Sequence, residues 1–337
     1  MTITTLADVI AGPAVGLLPL IALGPAFAGL TGGPRRTALI GAMALVLCLA
    51  LGWFNGLVPG RRGTTALIAV AGVTAAGLVA TVMRRRHEAE LASVRSIAEV
   101  AQRVLLRPVP RTAGELSAAV SYTAAVAEAR IGGDLYEVVT SPGGVRVIVG
   151  DVQGKGLGAV ETAADVLGAF REAAHDEADL VGVSRRLERA MNRTLDGEKF
   201  VTAVIAEVRK DRTVAVLNYG HPSPLIVDAA GTARYLDPDR RALPLGLGLH
   251  GGASPVETTS PFRPGDQLLL YTDGVTEARD ERGRFYPLTD RLHLMAADSP
   301  EGALDALHRD ITAHAGGPLG DDAAMLLLRY RTDRSAC

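Results

Sequence analysis

Two cysteines are all that this chain of 337 residues contains. Cys48 lies inside an apolar run and Cys337 is the last residue, so neither a disulfide framework nor a cysteine metal cluster is expected, and the polar part reads as cytosolic. Aromatic residues make up only 4% of the chain, which leaves little for stacking on bases, and a net charge of -2 supplies no basic field. Nucleic acid is therefore not an expected partner. No Gly-x-Ser-x-Gly elbow occurs, so a serine hydrolase has no support. Lys155 sits in a glycine-rich turn, but Gly150 to Gly154 is one residue short of Walker spacing and Gly156 occupies the Ser/Thr position, which disfavours nucleotide binding.

Charge is also nearly missing from residues 1–83, where Asp8, Arg35-Arg36 and Arg61-Arg62 are the exceptions. Crossing a bilayer takes about 20 mainly apolar residues in a helix that pairs its own amides. Three uncharged runs meet this need, at about 10–30, 37–54 and 64–83. The first carries Pro13, Pro19 and Pro25, each of which removes an amide donor from a regular helix. With three spans, Arg35, Arg36 and Arg84-Arg85-Arg86 fall on one face and Arg61-Arg62 on the other. Five arginines against two predict a multi-pass protein of the cell membrane, in contact with lipid, with its C-terminal domain in the cytoplasm. A cleaved leader ending at Ala26-Phe27-Ala28 is the rival reading, and the missing basic n-region argues against it.

Residues 84–107 read as a helical linker, with Leu91, Val94, Ala98, Ala101 and Leu105 spaced 3, 4, 3, 4 along one face. That spacing fits a short coiled-coil seam and a homodimer, or a helix packed on its own domain. Pro108 and Pro110 end it. From 108 to 331, β-branched runs at Val145–Val149, Val201–Val208, Val214–Tyr219, Gln267–Thr272 and Met325–Tyr330 predict strands. Ala159–Ala174 and Leu180–Leu195 predict helices, and Arg209–Thr213 suits an antiparallel hairpin. The expected class is α+β, followed by a tail at 332–337.

Acidic residues stand at the ends of these strands beside glycine or a second acid. They are Gly132-Gly133-Asp134, Gly150-Asp151, Thr272-Asp273-Gly274 and Gly320-Asp321-Asp322. An Asp-Gly after a strand is commonly just a turn. Several carboxylates aimed at one place, however, repel unless a hard cation sits between them, and Mg2+ or Mn2+ with oxygen ligands is the natural occupant.

The strings Gly132-Gly133-Asp134-Leu135-Tyr136-Glu137, Gly150-Asp151-Val152-Gln153-Gly154-Lys155-Gly156, Phe200-Val201-Thr202, Asn218-Tyr219-Gly220-His221-Pro222, Pro244-Leu245-Gly246, Tyr271-Thr272-Asp273-Gly274-Val275-Thr276-Glu277 and Asp321-Asp322 follow in order. In them the chain resembles the metal-dependent PPM-type (type 2C) protein phosphatases, in their bacterial SpoIIE-like branch. The resemblance covers about Gln102 to Arg329 and nothing in 1–83. It implies an antiparallel β-sandwich flanked by helices, with two Mn2+ or Mg2+ ions at one end. Asp151 would bridge the ions, the Val152 carbonyl would complete one site, and Asp134, Asp273 and one of Asp321/Asp322 would bind or orient the ions and their waters. Asp134, Asp151 and Asp273 are the expected catalytic acids. The implied reaction is hydrolysis of phosphoserine or phosphothreonine by activated water, on a phosphorylated anti-anti-sigma-type protein in partner switching. A phosphoprotein-binding pseudo-enzyme and a small-molecule phosphohydrolase are the alternatives.

Departures from the family pattern are Gln153, where eukaryotic members carry histidine as a candidate general acid, Glu137 for the commoner aspartate, and Ala324 for the threonine of Asp-Asp-x-Thr. Arg130 is a candidate phosphate donor or a solvated arginine. His221 reads first as a hydrogen-bonded histidine of a strand-to-turn connection.

Overall fold

The computed structural model describes residues 18–58, 60–123, 132–195, 199–248 and 254–332. The chain divides into two compact units, Met1–Ser93 and Val94–Cys337.

In the first unit a 3-10 turn, Leu18–Ala22, leads into α1 (Leu23–Thr31), α2 (Pro34–Phe54) and the start of α3 (Arg61–Leu105). Pro34 opens α2, where its missing amide would be unpaired anyway. Two apolar helices are long enough to cross a membrane, Pro34–Phe54 and the Arg61–Ser93 stretch of α3. The first expected span is described only in part. Its residues 10–17 lie outside the described residues, and the nine residues of α1 rise only about 14 Å, half of a hydrocarbon core. Among the described residues a third complete span is therefore not seen. The third expected span and the expected linker are one continuous helix, because nothing between Met83 and Leu105 breaks it.

Small side chains face inward here: Ala44 and Cys48 meet Ala66 and Val70, while Leu39, Val46, Trp53, Ile68 and Met83 are exposed. Small residues at the contact and large apolar ones outside is the pattern of helices packed in lipid. Arg84 donates to the Leu30 carbonyl at 2.6 Å and the Gly32 carbonyl at 2.8 Å, which satisfies the open end of α1. This contact also brings the 84–86 arginines to the same end of the bundle as Arg35-Arg36.

The second unit holds two antiparallel sheets. One runs β1 (Thr112–Ala113), β2 (Leu116–Thr123), β11 (Ala323–Tyr330), β10 (Gln267–Tyr271), β7 (Leu225–Val227), β8 (Ala233–Tyr235). The other runs β3 (Asp134–Ser141), β4 (Gly144–Val152), β5 (Val201–Arg209), β6 (Thr213–Tyr219), β9 (Thr258–Pro261). The period of two along a strand builds the layers. In β11, Ala324, Leu326 and Leu328 enter the core shared with β4 and β5, while Ala323, Met325 and Leu327 pack with Leu304 and Leu307 of α7 (Pro300–Ala315). On the far face of the second sheet lie α4 (Leu157–Asp176) and α5 (Leu180–Thr194), whose Val166, Phe170 and Leu187 join the same core as β4.

The end of α3 is anchored within this second unit. Ala101 and Leu105 pack on Val160 of α4, and Gln102 donates to the Tyr122 hydroxyl at 2.9 Å and the Gly132 carbonyl at 3.2 Å. Two of the five expected seam positions thus serve the helix's own domain. Leu91 is exposed, and the side chains of Val94 and Ala98 lie outside the described residues.

Candidate metal centre

Strand pairing brings the first two acids together. β3 and β4 pair with Asp134 directly opposite Asp151, so both carboxylates stand at one end of the second sheet. The other sheet supplies the rest. Asp273 opens the short helix α6 (Asp273–Thr276) directly after β10, and Asp321-Asp322 directly precede β11, the neighbour of β10. Asp134, Asp151, Asp273, Asp321 and Asp322 line one cleft of about 90 Å³, together with Val152 and Lys155. All the residues expected at the centre therefore share one place in the fold.

Close backbone approach makes the cleft. An ideal Cβ on Gly132 would fall 1.4 Å from Asp322 Oδ2, and one on Gly274 would fall 1.8 Å from the Asp322 carbonyl oxygen. Only glycine fits at either position, and Asp322 is held between them at 5% exposure. Asp321 is open by comparison. Its Oδ1 accepts from Lys155 Nζ at 2.7 Å and from the Asp322 amide at 3.0 Å.

Thr272 is the residue that sequence reasoning missed. Fully buried, it donates from Oγ1 to Asp134 Oδ2 at 2.8 Å and accepts from the Ala324 amide at 2.9 Å, so one hydroxyl ties the two sheets at the acids. Thr272, directly after β10, thus supplies the hydroxyl that accepts from the Ala324 backbone. The available signal was a threonine immediately before Asp273. Glu137 is not at the cleft. Three residues beyond Asp134 on a strand, it points to the opposite face, where it pairs with Arg171 of α4, which also donates to the Leu105 carbonyl at 2.9 Å. His221 is buried between Thr202 Oγ1 and the Tyr271 carbonyl, both at 3.1 Å, and burial holds it neutral, with its pKa lowered to about 3. Arg130 lies outside the described residues.

Electrostatics show what the cleft wants. Burial, then the Asp151 charge, pushes Asp134 well above the usual carboxylate range. Burial, then Asp273, Asp321 and Asp322, raises Asp151 to about 7, against a small opposing effect from Lys155. Asp273 rises for the same two reasons, burial first and then Glu277 and Asp321. Among the described residues no three His, Cys, Asp or Glu side chains are yet drawn tightly enough to hold a metal ion. The donor set nonetheless fits a hard divalent cation: every ligand atom is oxygen, and five carboxylates share the cleft with a single ammonium, Lys155.

The pH dependence of the metal-free protein follows with its sign. Asp134 and Asp151 keep their protons in the fold above about pH 4, where the unfolded chain has released them. The contribution of protonated Asp151 to stability is present at low pH and is lost as pH rises toward about 7, and Asp134 acts in the same direction. In chelator, the thermal midpoint should fall between about pH 4 and 7, more steeply for the wild type than for Asp151→Asn, and Mn2+ should reverse the fall. Equal slopes for the two proteins would show that the Asp151 carboxylate is not under this repulsion.

The family model described as "Stage II sporulation protein E (SpoIIE)" matches residues 141–331, more than half of the chain. The phosphoserine phosphatase RsbU of Bacillus subtilis (strain 168) is 24% identical over 155 residues, 46% of this chain and 45% of that protein. The chain thus matches less than half the length of this relative. The SiaA-PP2C domain of Pseudomonas aeruginosa superposes with a TM-score of 0.60 at 22% identity, covering 74% of this chain and 99% of that one. The PP2C phosphatase domain of Bacillus subtilis SpoIIE, solved with a fragment of its regulatory domain, gives 0.54 at 15% identity, over 64% and 63%. The two-sheet unit therefore has the PP2C-type fold.

Proposed function

Because the chain belongs to the SpoIIE family, we propose that it is a membrane-anchored, divalent-metal-dependent protein serine/threonine phosphatase. The observation that carries this reading is the convergence of five aspartates, from the ends of two sheets, on one small cleft. Asp151 would bridge two ions, Mn2+ or Mg2+, with the Val152 carbonyl, Asp134, Asp273 and one or both of Asp321 and Asp322 completing the sites. When bound, such ions supply an activated water and screen the charge of an incoming phosphate. The chain's own residues do the positioning: Thr272 orients Asp134, and the glycines at 132 and 274 hold Asp322, while Lys155 pairs with Asp321 at the mouth of the cleft.

A second cleft of about 270 Å³ shares Asp273 and Asp321 and continues past Glu277, Arg279 and Leu319. It would receive the chain flanking the phosphorylated residue. Kinship with a family that includes RsbU-like phosphatases supports a phosphorylated anti-anti-sigma-type protein as substrate. Release of phosphate from a phosphoserine protein, compared with release from small phosphate esters, with and without Mn2+, tests the assignment. Equal turnover of both substrate types would point to a small-molecule phosphohydrolase instead.

The proposed anchor puts residues 87–337 in the cytoplasm, since five arginines gather at one end of the membrane helices and Arg61-Arg62 stand apart. Topology reporters fused after Arg86 and within Gly56–Gly63 should give opposite signals. Matching cytoplasmic signals would refute the anchor.

A further inference from the structure

We propose that Lys155 exchanges partners at the catalytic cleft: it holds Asp321 while the carboxylates lack a cation, and turns to the substrate's phosphoryl oxygens once a cation takes Asp321. The proposal rests on the phosphatase reading above and adds to it a residue with a role in binding the phosphoryl group.

Lys155 Nζ lies 2.7 Å from Asp321 Oδ1, with the two side chains 38% and 56% exposed, so the pair stands at the mouth of the cleft rather than in the core. Among the described residues lining that cleft, Lys155 is the one basic side chain. Ammonium and divalent cation compete for the same carboxylate oxygens, and the ion has the larger charge. With Asp321 engaged by the ion, the ammonium is repelled from a partner whose charge is already neutralised. A phosphate monoester entering the cleft brings negative oxygens within reach of the same flexible four-carbon stem and its three donors. Lysine suits this exchange because it is a mobile point charge with no fixed fork geometry. The competing account is an ordinary half-exposed ion pair, which contributes little to anything measurable.

The test uses the full-length chain in detergent, as wild type, Lys155→Gln and Lys155→Arg. Mn2+ is titrated calorimetrically without substrate, and inorganic phosphate is assayed as an inhibitor of phosphoprotein turnover. Lys155→Gln should bind Mn2+ about two- to fivefold more tightly, the scale of breaking a half-exposed pair. It should also weaken both phosphate inhibition and KM for the phosphoprotein on the order of tenfold, the scale of a lost hydrogen bond to a charged group. Lys155→Arg, which keeps the charge on a rigid fork, should fall between wild type and Lys155→Gln in both arms. Unchanged or weaker Mn2+ binding in Lys155→Gln overturns the exchange, and so does unchanged phosphate inhibition. A wild-type chain without Mn2+-dependent turnover instead overturns the phosphatase reading and the phosphate half of the proposal with it, while the Mn2+ titration still decides whether Lys155 guards Asp321.

Discussion

Asp151→Asn should leave the protein folded and reduce Mn2+-dependent turnover of a phosphoserine protein on the order of a hundredfold or more, beyond the 10–100-fold typical of changes one step removed from a metal. The substitution keeps the shape of the side chain and removes the charge shared by both proposed ions. Its position makes the effect large: Asp151 stands opposite Asp134 and is raised by burial and by Asp273, Asp321 and Asp322, so it is the acid on which the others' charges converge. Stability should move the other way. In chelator near neutral pH the variant should melt no lower than wild type, because one repelling carboxylate has gone. Loss of Mn2+ affinity with retained folding separates a metal ligand from a turn residue, since asparagine also serves well in turns. A folded variant with wild-type turnover would retire the metal-dependent mechanism. Asp273→Asn should behave similarly, and Asp322→Asn should be milder if Asp321 is the ligand of the pair.

The largest loss of stability should come from Arg146→Met, far from the acids. Arg146 is 1% exposed, and its Nε meets Glu207 Oε1 at 2.7 Å. Its remaining donors reach the Ala174 carbonyl at 3.1 Å, Glu177 at 2.6 Å and Ala178 at 3.1 Å, which closes the C-terminal end of α4. Methionine fills much of the volume but leaves those carbonyls and a buried carboxylate without their donor. Removing one partner of a buried pair costs about 3–5 kcal/mol, a large share of the roughly 5–15 kcal/mol that holds a domain together. Glu207 keeps Arg209 Nε at 3.0 Å, which places the expected loss toward the lower end. Pairing the change with Glu207→Leu should recover part of it, because an apolar pair removes the stranded charge while the carbonyls stay unpaired. Urea denaturation measures both. A loss under about 1 kcal/mol for Arg146→Met would show that the pair contributes specificity and little stability.

Much of the acidic centre was legible in the residues because its signals are local. Each aspartate ends or begins a strand next to glycine or another acid, and apolar runs mark the strands on both sides. Five of the strands and two long helices of the second unit, α4 and α5, fall on the expected segments, with ends shifted by one to three residues, whereas α7 (Pro300–Ala315) was not expected. β2 was not expected, since Leu116–Thr123 alternates small and polar residues with little apolar bulk, and its place is set by pairing along its whole length with β11. The first membrane run is described only from Leu18 onward, and that part, with Pro19 and Pro25, is a 3-10 turn and a short helix.

What the amino-acid sequence determined by itself is the chemistry: which residues are acids, where strands stop, which helices are apolar enough for lipid, and the order of strings that the family shares. Those properties reside in neighbouring residues and survive without coordinates. Tertiary structure alone decided the partnerships. Thr272 holds Asp134 across 138 residues of chain, Lys155 meets Asp321 across 166, and Arg146 meets Glu207 across 61. Glu137 leaves the cleft because three steps along a strand reverse the face. Register between strands sets Arg146 opposite Glu207 and aligns the strand ends from which the other contacts are made, and register is fixed by which faces bury their apolar side chains.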